Sequence, residues 1–211
     1  MNLVKKYNNS RHYFIGYFIF IFLSSAFLLK VGKANSFIYL NSFHTNWLDH
    51  FFTFYTYIGD GIFSIIISLL FLILKRWKDA LMIFLAYSLS GITSQIIKNL
   101  VIAPRPISYF KSGEYQHFIK GIITHTSASF PSGHTTSAFA LSLILALILQ
   151  NKKWNIPLLV LAILTGYSRI YLGQHFLLDV IVGSLIGTIF SLAVFHVMSN
   201  LKIKNGISSN L

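Results

Sequence analysis

The chain has 211 residues, of which 55% are hydrophobic and only 10% charged, with 20 Phe and 11 Tyr. Soluble domains carry about 25% charged residues, so this composition excludes an ordinary water-soluble globule and points to a bilayer as the solvent. A formal charge of +12 would suit nucleic acid, but the Lys and Arg stand in short clusters between apolar stretches, which is the pattern of membrane orientation.

Six segments approach the roughly 17–25 apolar residues that a crossing helix needs. The first covers 13–29; its basic flank (Lys5, Lys6, Arg11) resembles that of a signal peptide, but the apolar core is long and no small-residue cleavage site follows, so an uncleaved helix is expected. An aromatic stretch at 36–59, with Trp47, Phe51, Phe52 and Phe54, reads as an interfacial helix at headgroup depth. The second span covers about 58–74, the third 80–97, the fourth 135–150, the fifth 156–171 and the sixth 176–198. Between the third and fourth lies the longest polar connection, 100–133, which holds three of the four prolines. Backbone cannot be left unpaired in lipid, so the spans are helices. The expected fold is therefore all-α: one domain over 1–211, a six-transmembrane bundle with an interfacial helix between the first and second spans.

Ten Lys and Arg fall on the side of both termini, with Lys75, Arg76, Lys78, Lys152, Lys153, Lys202 and Lys204 beside the N-terminal three. Seven fall on the other side: Lys30, Lys33, Lys98, Arg105, Lys111, Lys120 and Arg169. The excess places both termini in the cytoplasm. The absence of cysteine rules out disulfides and thiolate metal sites.

Ionisable residues at a membrane edge are costly and call for a reason. Three clusters supply one. Lys98 and Arg105-Pro106 leave the third span; Pro131-Ser132-Gly133-His134 enters the fourth; Ser168-Arg169, His175 and Asp179 join the fifth to the sixth. Two spans separate the connections that carry them, so all three emerge on one face, opposite the termini. Three cations in a partly dry pocket require an anion, and Arg forks match phosphate oxygens. Ser132 and Gly133 ahead of a helix offer amides at its positive end. His175 and Asp179, spaced i,i+4, share a helix face; a carboxylate on one imidazole nitrogen leaves the other as a nucleophile. His134 is then free to act as general acid.

The segments KNLVIAPRP (98–106), PSGH (131–134) and SRIYLGQHFLLD (168–179) resemble the tripartite signature of the type 2 phosphatidic acid phosphatases, whose active-site pattern is shared with vanadium haloperoxidases. The resemblance implies a two-step phosphate hydrolysis that needs no metal or other cofactor. It makes His175 the nucleophile, Asp179 its orienting carboxylate and His134 the proton donor. Lys98, Arg105, Ser132, Gly133 and Arg169 would hold the phosphoryl oxygens. The implied partner is a lipid phosphate within the membrane, not a nucleic acid: phosphatidic acid, phosphatidylglycerophosphate, undecaprenyl pyrophosphate or lipid A, with the last two preferred. A multi-pass protein of a bacterial inner membrane is expected, its site outside the cytoplasm. Phosphotransfer to another acceptor, or anion and lipid transport without chemistry, are the competing classes. Oligomeric state has no signature here.

Other polar residues have plainer readings. Asp60, between glycines, reads as a helix start, and Asp49 and Asp79 as solvated helix termini. Glu114, His117 and His125 read as loop residues before they read as gates. Tyr171 and Gln174 either line the pocket or pack, while His12, His44, His50 and His196 carry no signal.

Overall fold

The computed structural model describes residues 3–110, 119 and 126–201. The expectations placed on Lys111, Glu114, His117, Lys120, His125, Lys202 and Lys204 lie outside the described residues. Those described form helices joined by short links, with no strand among them. In chain order the helices are α1 (Leu3–Asn9), α2 (Arg11–Asn41), α3 (Asn46–Tyr55), α4 (Gly61–Ile73), α5 (Trp77–Leu100), α6 (Pro106–Tyr109), α7 (Gly133–Leu149), α8 (Asn155–Tyr171) and α9 (Leu177–Asn200).

All six apolar segments read from the sequence are helical, with two differences of detail. Helix α2 runs on past the expected end at 29 and is interrupted at Gly32, whose φ of 81° is open to glycine and costly for other residues. The aromatic stretch 36–59 is not one helix. It is divided among the end of α2, α3, and a 3₁₀ turn, Thr56–Gly59. Asp60 then caps α4 by accepting from Ile62 N at 3.2 Å, as a helix start should. The α3–3₁₀ segment and α4 meet at a 55° bend. Helices α2, α5 and α9 are long and apolar enough to cross a bilayer, and the bent pair makes a fourth; α7 is apolar but shorter, at 17 residues.

Helix α7 is the axis of the bundle. It is apolar on all sides, the pattern of a helix enclosed by others, and it is buried continuously from Thr135 to Ile144. Helix α9 packs closely against it through Gly183 and Gly187, a small-xxx-small pair that lets backbones approach. A Cβ on Gly183 would stand 2.6 Å from Ser132 O, and one on Gly187 would meet Thr136 O and Ala140 N. Buried hydroxyls tie the helices further: Tyr13 and Ser142 hydroxyls lie 2.6 Å apart, and Ser191 donates to Ala140 O at 2.7 Å. On the outside, Phe18, Phe22, Ile66, Ile73 and Ile189 are exposed, an apolar belt suited to lipid.

The two ends of the bundle differ in chemistry. At one end Asn9 bonds to Gln150, Asn155 to Asn9 O, and Lys78 to Leu201 O. At the other, the C-termini of α5 and α8 meet the N-termini of α7 and α9. All three polar clusters are at this second end.

Candidate active site

Each element presents its functional side chain at a helix terminus. Lys98 is in the last turn of α5, and Arg105 lies in the extended link before α6. Ser132 is the N-cap of α7; its Oγ accepts from Thr135 N at 3.4 Å and from Thr135 Oγ1 at 2.8 Å, so its own proton is left to donate. Gly133 and His134 form the first turn of α7, and Arg169 lies in the last turn of α8.

A tight turn joins α8 to α9. Gly173 takes a φ of 67°, and the amides of Gln174 and His175 both donate to Arg169 O, at 2.9 and 3.2 Å. This is how a helix C-terminus satisfies its last carbonyls, and here it fixes the backbone of His175 relative to Arg169. Ser132 N donates to Asp179 O at 3.0 Å, which ties the head of α7 to the first turn of α9.

His175 Nδ1 lies 3.4 Å from Asp179 Oδ2. The same oxygen accepts from Ser129 Oγ at 2.5 Å and from Phe176 N at 2.9 Å. Three partners converge on one carboxylate oxygen, so its position is over-determined, and with it the imidazole plane. His175 is 1% exposed and Asp179 2%.

Both guanidinium groups are buried and held by neutral acceptors. Arg105 Nε donates to Ser127 O at 3.0 Å and its NH1 to Gln174 Oε1 at 2.6 Å. Arg169 NH1 donates to Thr56 Oγ1 at 2.7 Å, while its buried Nε has no hydrogen-bond partner among the described residues. Lys98 Nζ approaches the head of α7, 3.8 Å from where a Cβ on Gly133 would stand. His134 is within electrostatic reach of Arg169, His175, Lys98 and Arg105. Lys98, Arg105, Arg169, His134, His175 and Asp179, expected from topology to meet, are therefore together.

Burial is the main influence on the His175 imidazole and pulls its pKa down to about 4; the Asp179 pairing opposes that and the two arginines reinforce it. At neutral pH the ring is uncharged and keeps a lone pair. Burial also lowers Arg105 from its ordinary value, against the opposing pull of Asp179. A cavity of about 440 Å³ opens beside His134 between α4, α5 and α7; Lys98, Gly133, Tyr87 and Gln95 are among its lining residues.

Several residues of the site carry no sequence signal. Ser129 and Thr56 are hydroxyls among many, and only the fold brings them to Asp179 and Arg169. Gln174, which the sequence left between lining the pocket and packing, accepts from Arg105. Asp49 corrects its reading as a solvated terminus: it accepts from Tyr171 Oη at 2.5 Å and pairs with His44 Nδ1 at 3.1 Å. Asp79 likewise pairs with Arg76, at 2.7 Å.

Residues 79–203 match the family model of the PAP2 superfamily, a stretch that contains every site residue named from the sequence. The chain is 36% identical over 115 residues to an undecaprenyl-diphosphatase of Bacillus subtilis, BcrC, covering 54% of this chain and 56% of that one. It is 30% identical over 177 residues to a lipid A 4'-phosphatase of Porphyromonas gingivalis, covering 81% of this chain and 74% of the relative. The crystal structure of Aquifex aeolicus LpxE superposes with a TM-score of 0.69 at 29% identity, covering 78% of this chain and 94% of that one. The chain thus spans just over half the length of the first relative and most of the others. With three polar clusters gathered at one end of an apolar helical bundle and the family model matched across all of them, this integral membrane protein belongs to the PAP2 superfamily of phosphatases.

Proposed function

We propose that this chain removes phosphate from a lipid phosphate ester or polyprenyl pyrophosphate, through a phosphohistidine formed on His175. The observation that carries the reading is the meeting of an uncharged, Asp179-oriented imidazole with two buried arginines and Lys98. A neutral nucleophile beside three cations suits an anionic electrophile, and phosphate is the anion that Arg forks match.

In the first step the lone pair of His175 attacks phosphorus in line with the departing oxygen. The P–O bond breaks, and His134 gives its proton to the lipid alkoxide or phosphate that leaves. Asp179 offsets the positive charge that develops on the imidazole. Arg105, Arg169, Lys98, the Ser132 hydroxyl and the Gly133 amide hold the three phosphoryl oxygens, where fixed donors are worth about 3–4 kcal/mol each in a transition state. In the second step His134, now a base, takes a proton from water as it attacks. The P–N bond breaks, phosphate leaves, and His175 is neutral again. No metal enters either step.

The placement proposed is a single domain of six spans, with α7 and α8 as short crossing helices inside the bundle and α3 lying at headgroup depth. Both termini are cytoplasmic and the site faces outward from a bacterial inner membrane. The Lys and Arg distribution supports this orientation. Undecaprenyl pyrophosphate and lipid A phosphates are the favoured substrates, supported by the names of two relatives, an undecaprenyl-diphosphatase and a lipid A 4'-phosphatase. The cavity beside His134, lined by residues of α4, α5 and α7, is where a membrane lipid would present its headgroup.

Purified protein in detergent, with EDTA present, should release inorganic phosphate from one or more of these lipids, and His175→Ala should abolish that release. Undiminished release by the variant would refute the assignment.

A further inference from the structure

Among the described residues, both buried arginines of the site are anchored by neutral acceptors and not by a carboxylate. Arg105 is held by the Gln174 amide oxygen at 2.6 Å and by Ser127 O, and Arg169 by the Thr56 hydroxyl at 2.7 Å. Neither guanidinium is in an ion pair with another described residue; the pairs present are His44–Asp49, Arg76–Asp79 and His175–Asp179. They are 7% and 8% exposed, depths at which an Arg is ordinarily paired.

The neutral anchors have well-defined supports. Gln174 is 2% exposed, immediately precedes His175, and its amide donates to Arg169 O at 2.9 Å, so one residue links both arginines and the imidazole. Thr56 is buried in the 3₁₀ turn after α3. The chain ahead of that turn is fastened to the end of α8 by three hydrogen bonds: Asn41 Nδ2, at the end of α2, donates to Ile170 O and Tyr171 O at 2.7 Å, and Tyr171 Oη donates to Asp49 of α3 at 2.5 Å. Arg169 is thus positioned by a part of the chain that lies outside all three signature motifs.

Resting on the phosphatase reading above, we propose that Gln174 and Thr56 are positioning residues whose neutrality matters as much as their hydrogen bonds. They orient the guanidinium forks and add no negative charge of their own to the partial pull of Asp179 on Arg105 and of Asp60 on Arg169, so positive charge is left for the phosphoryl dianion. A carboxylate in either place would make the same or a stronger bond and cancel the charge the substrate needs.

This separates an electrostatic role from a structural one. Gln174→Glu keeps the shape and the oxygen that accepts from Arg105, so a role limited to that hydrogen bond predicts vanadate sensitivity like that of the natural protein. The proposal predicts vanadate inhibition weakened about tenfold or more, with KM for the lipid phosphate raised and thermal stability in detergent unchanged or increased. Thr56→Asp applies the same test to Arg169. Thr56→Val should weaken vanadate, and Thr56→Ser should restore it. Vanadate inhibition within twofold of the natural protein in both carboxylate variants would overturn the proposal. So would their failure to fold, since a carboxylate opposite a buried, unpaired cation should not cost stability. A natural protein that releases no phosphate from any lipid defeats the phosphatase reading itself; one that does, with carboxylate variants equally sensitive to vanadate, defeats only the clamps.

Discussion

His175 Nδ1 stands 3.4 Å from Asp179 Oδ2, one helical turn along, and that oxygen is itself fixed by Ser129 Oγ and Phe176 N. The separation is at the long end for a hydrogen bond, so in the proposed mechanism the carboxylate would act chiefly by orienting the ring and countering charge as phosphorus bonds to it. Asp179→Asn keeps the shape and removes the charge, and turnover should fall about 10²–10⁴-fold. Ser129→Ala should lose less, about tenfold in turnover and about 1–3 kcal/mol in stability, as expected of a lost hydrogen bond to a charged group. Phosphate release and thermal unfolding of the purified variants measure both.

His134 is assigned the leaving-group proton, and that role depends on how badly the leaving oxygen needs one. His134→Asn should slow hydrolysis of a lipid alkyl phosphate by about 10²–10⁴-fold. A nitrophenyl phosphate, whose phenolate leaves without help, should be slowed far less. Equal losses on the two substrates would remove His134 from the donor role and leave it as a phosphate contact.

Burial holds the His175 pKa at about 4 in the fold, against about 6.5 for an unperturbed histidine. Between those values the unfolded chain binds a proton that the folded chain refuses, so the contribution to stability is full above about pH 6.5 and is lost as pH falls toward about 4. The acid limb of kcat/KM that belongs to the nucleophile should accordingly lie well below pH 6. A pH series of kcat/KM, with unfolding temperature measured over the same range, tests both statements.

The α7–α9 contact sets the distance between the two histidines. Gly187→Ala would push a methyl group into Thr136 O and Ala140 N, and both are backbone atoms of a buried helix that cannot swing aside. Overpacking of this kind costs about 1–3 kcal/mol. Turnover should drop with stability, because the head of α7 carries His134. The same change at Gly91, where a Cβ meets nothing within 4 Å, should leave stability unaffected.

Much of this arrangement was legible in the sequence because its signals are periodic or sparse. Apolar runs of sufficient length marked the helices, and charged residues are so few that Lys98, Arg105, Arg169 and Asp179 stood out. Counting spans between clusters was enough to place them at one end of the bundle. What stayed hidden depends on tertiary approach. Gly32 interrupts α2 through a backbone torsion that its neighbours do not announce. Ser129 and Thr56 act through hydrogen bonds to partners 50 and 113 residues away, and Gln174, read from the sequence only as lining the pocket or packing, holds a partner 69 residues away. Asp49 looked solvated because its partners, His44 and Tyr171, are brought to it by α3 docking on α8 rather than by helical spacing alone.

The proposed mechanism requires a covalent bond between phosphorus and the imidazole at 175. Rapid acid-free quenching of the purified protein during turnover of a lipid phosphate, followed by peptide mass spectrometry, tests it directly. A phosphoryl group that is labile in acid and stable in base should appear on the peptide containing His175, and be absent from His175→Ala. Turnover with no phosphoryl group there, or with one on another residue, would contradict it.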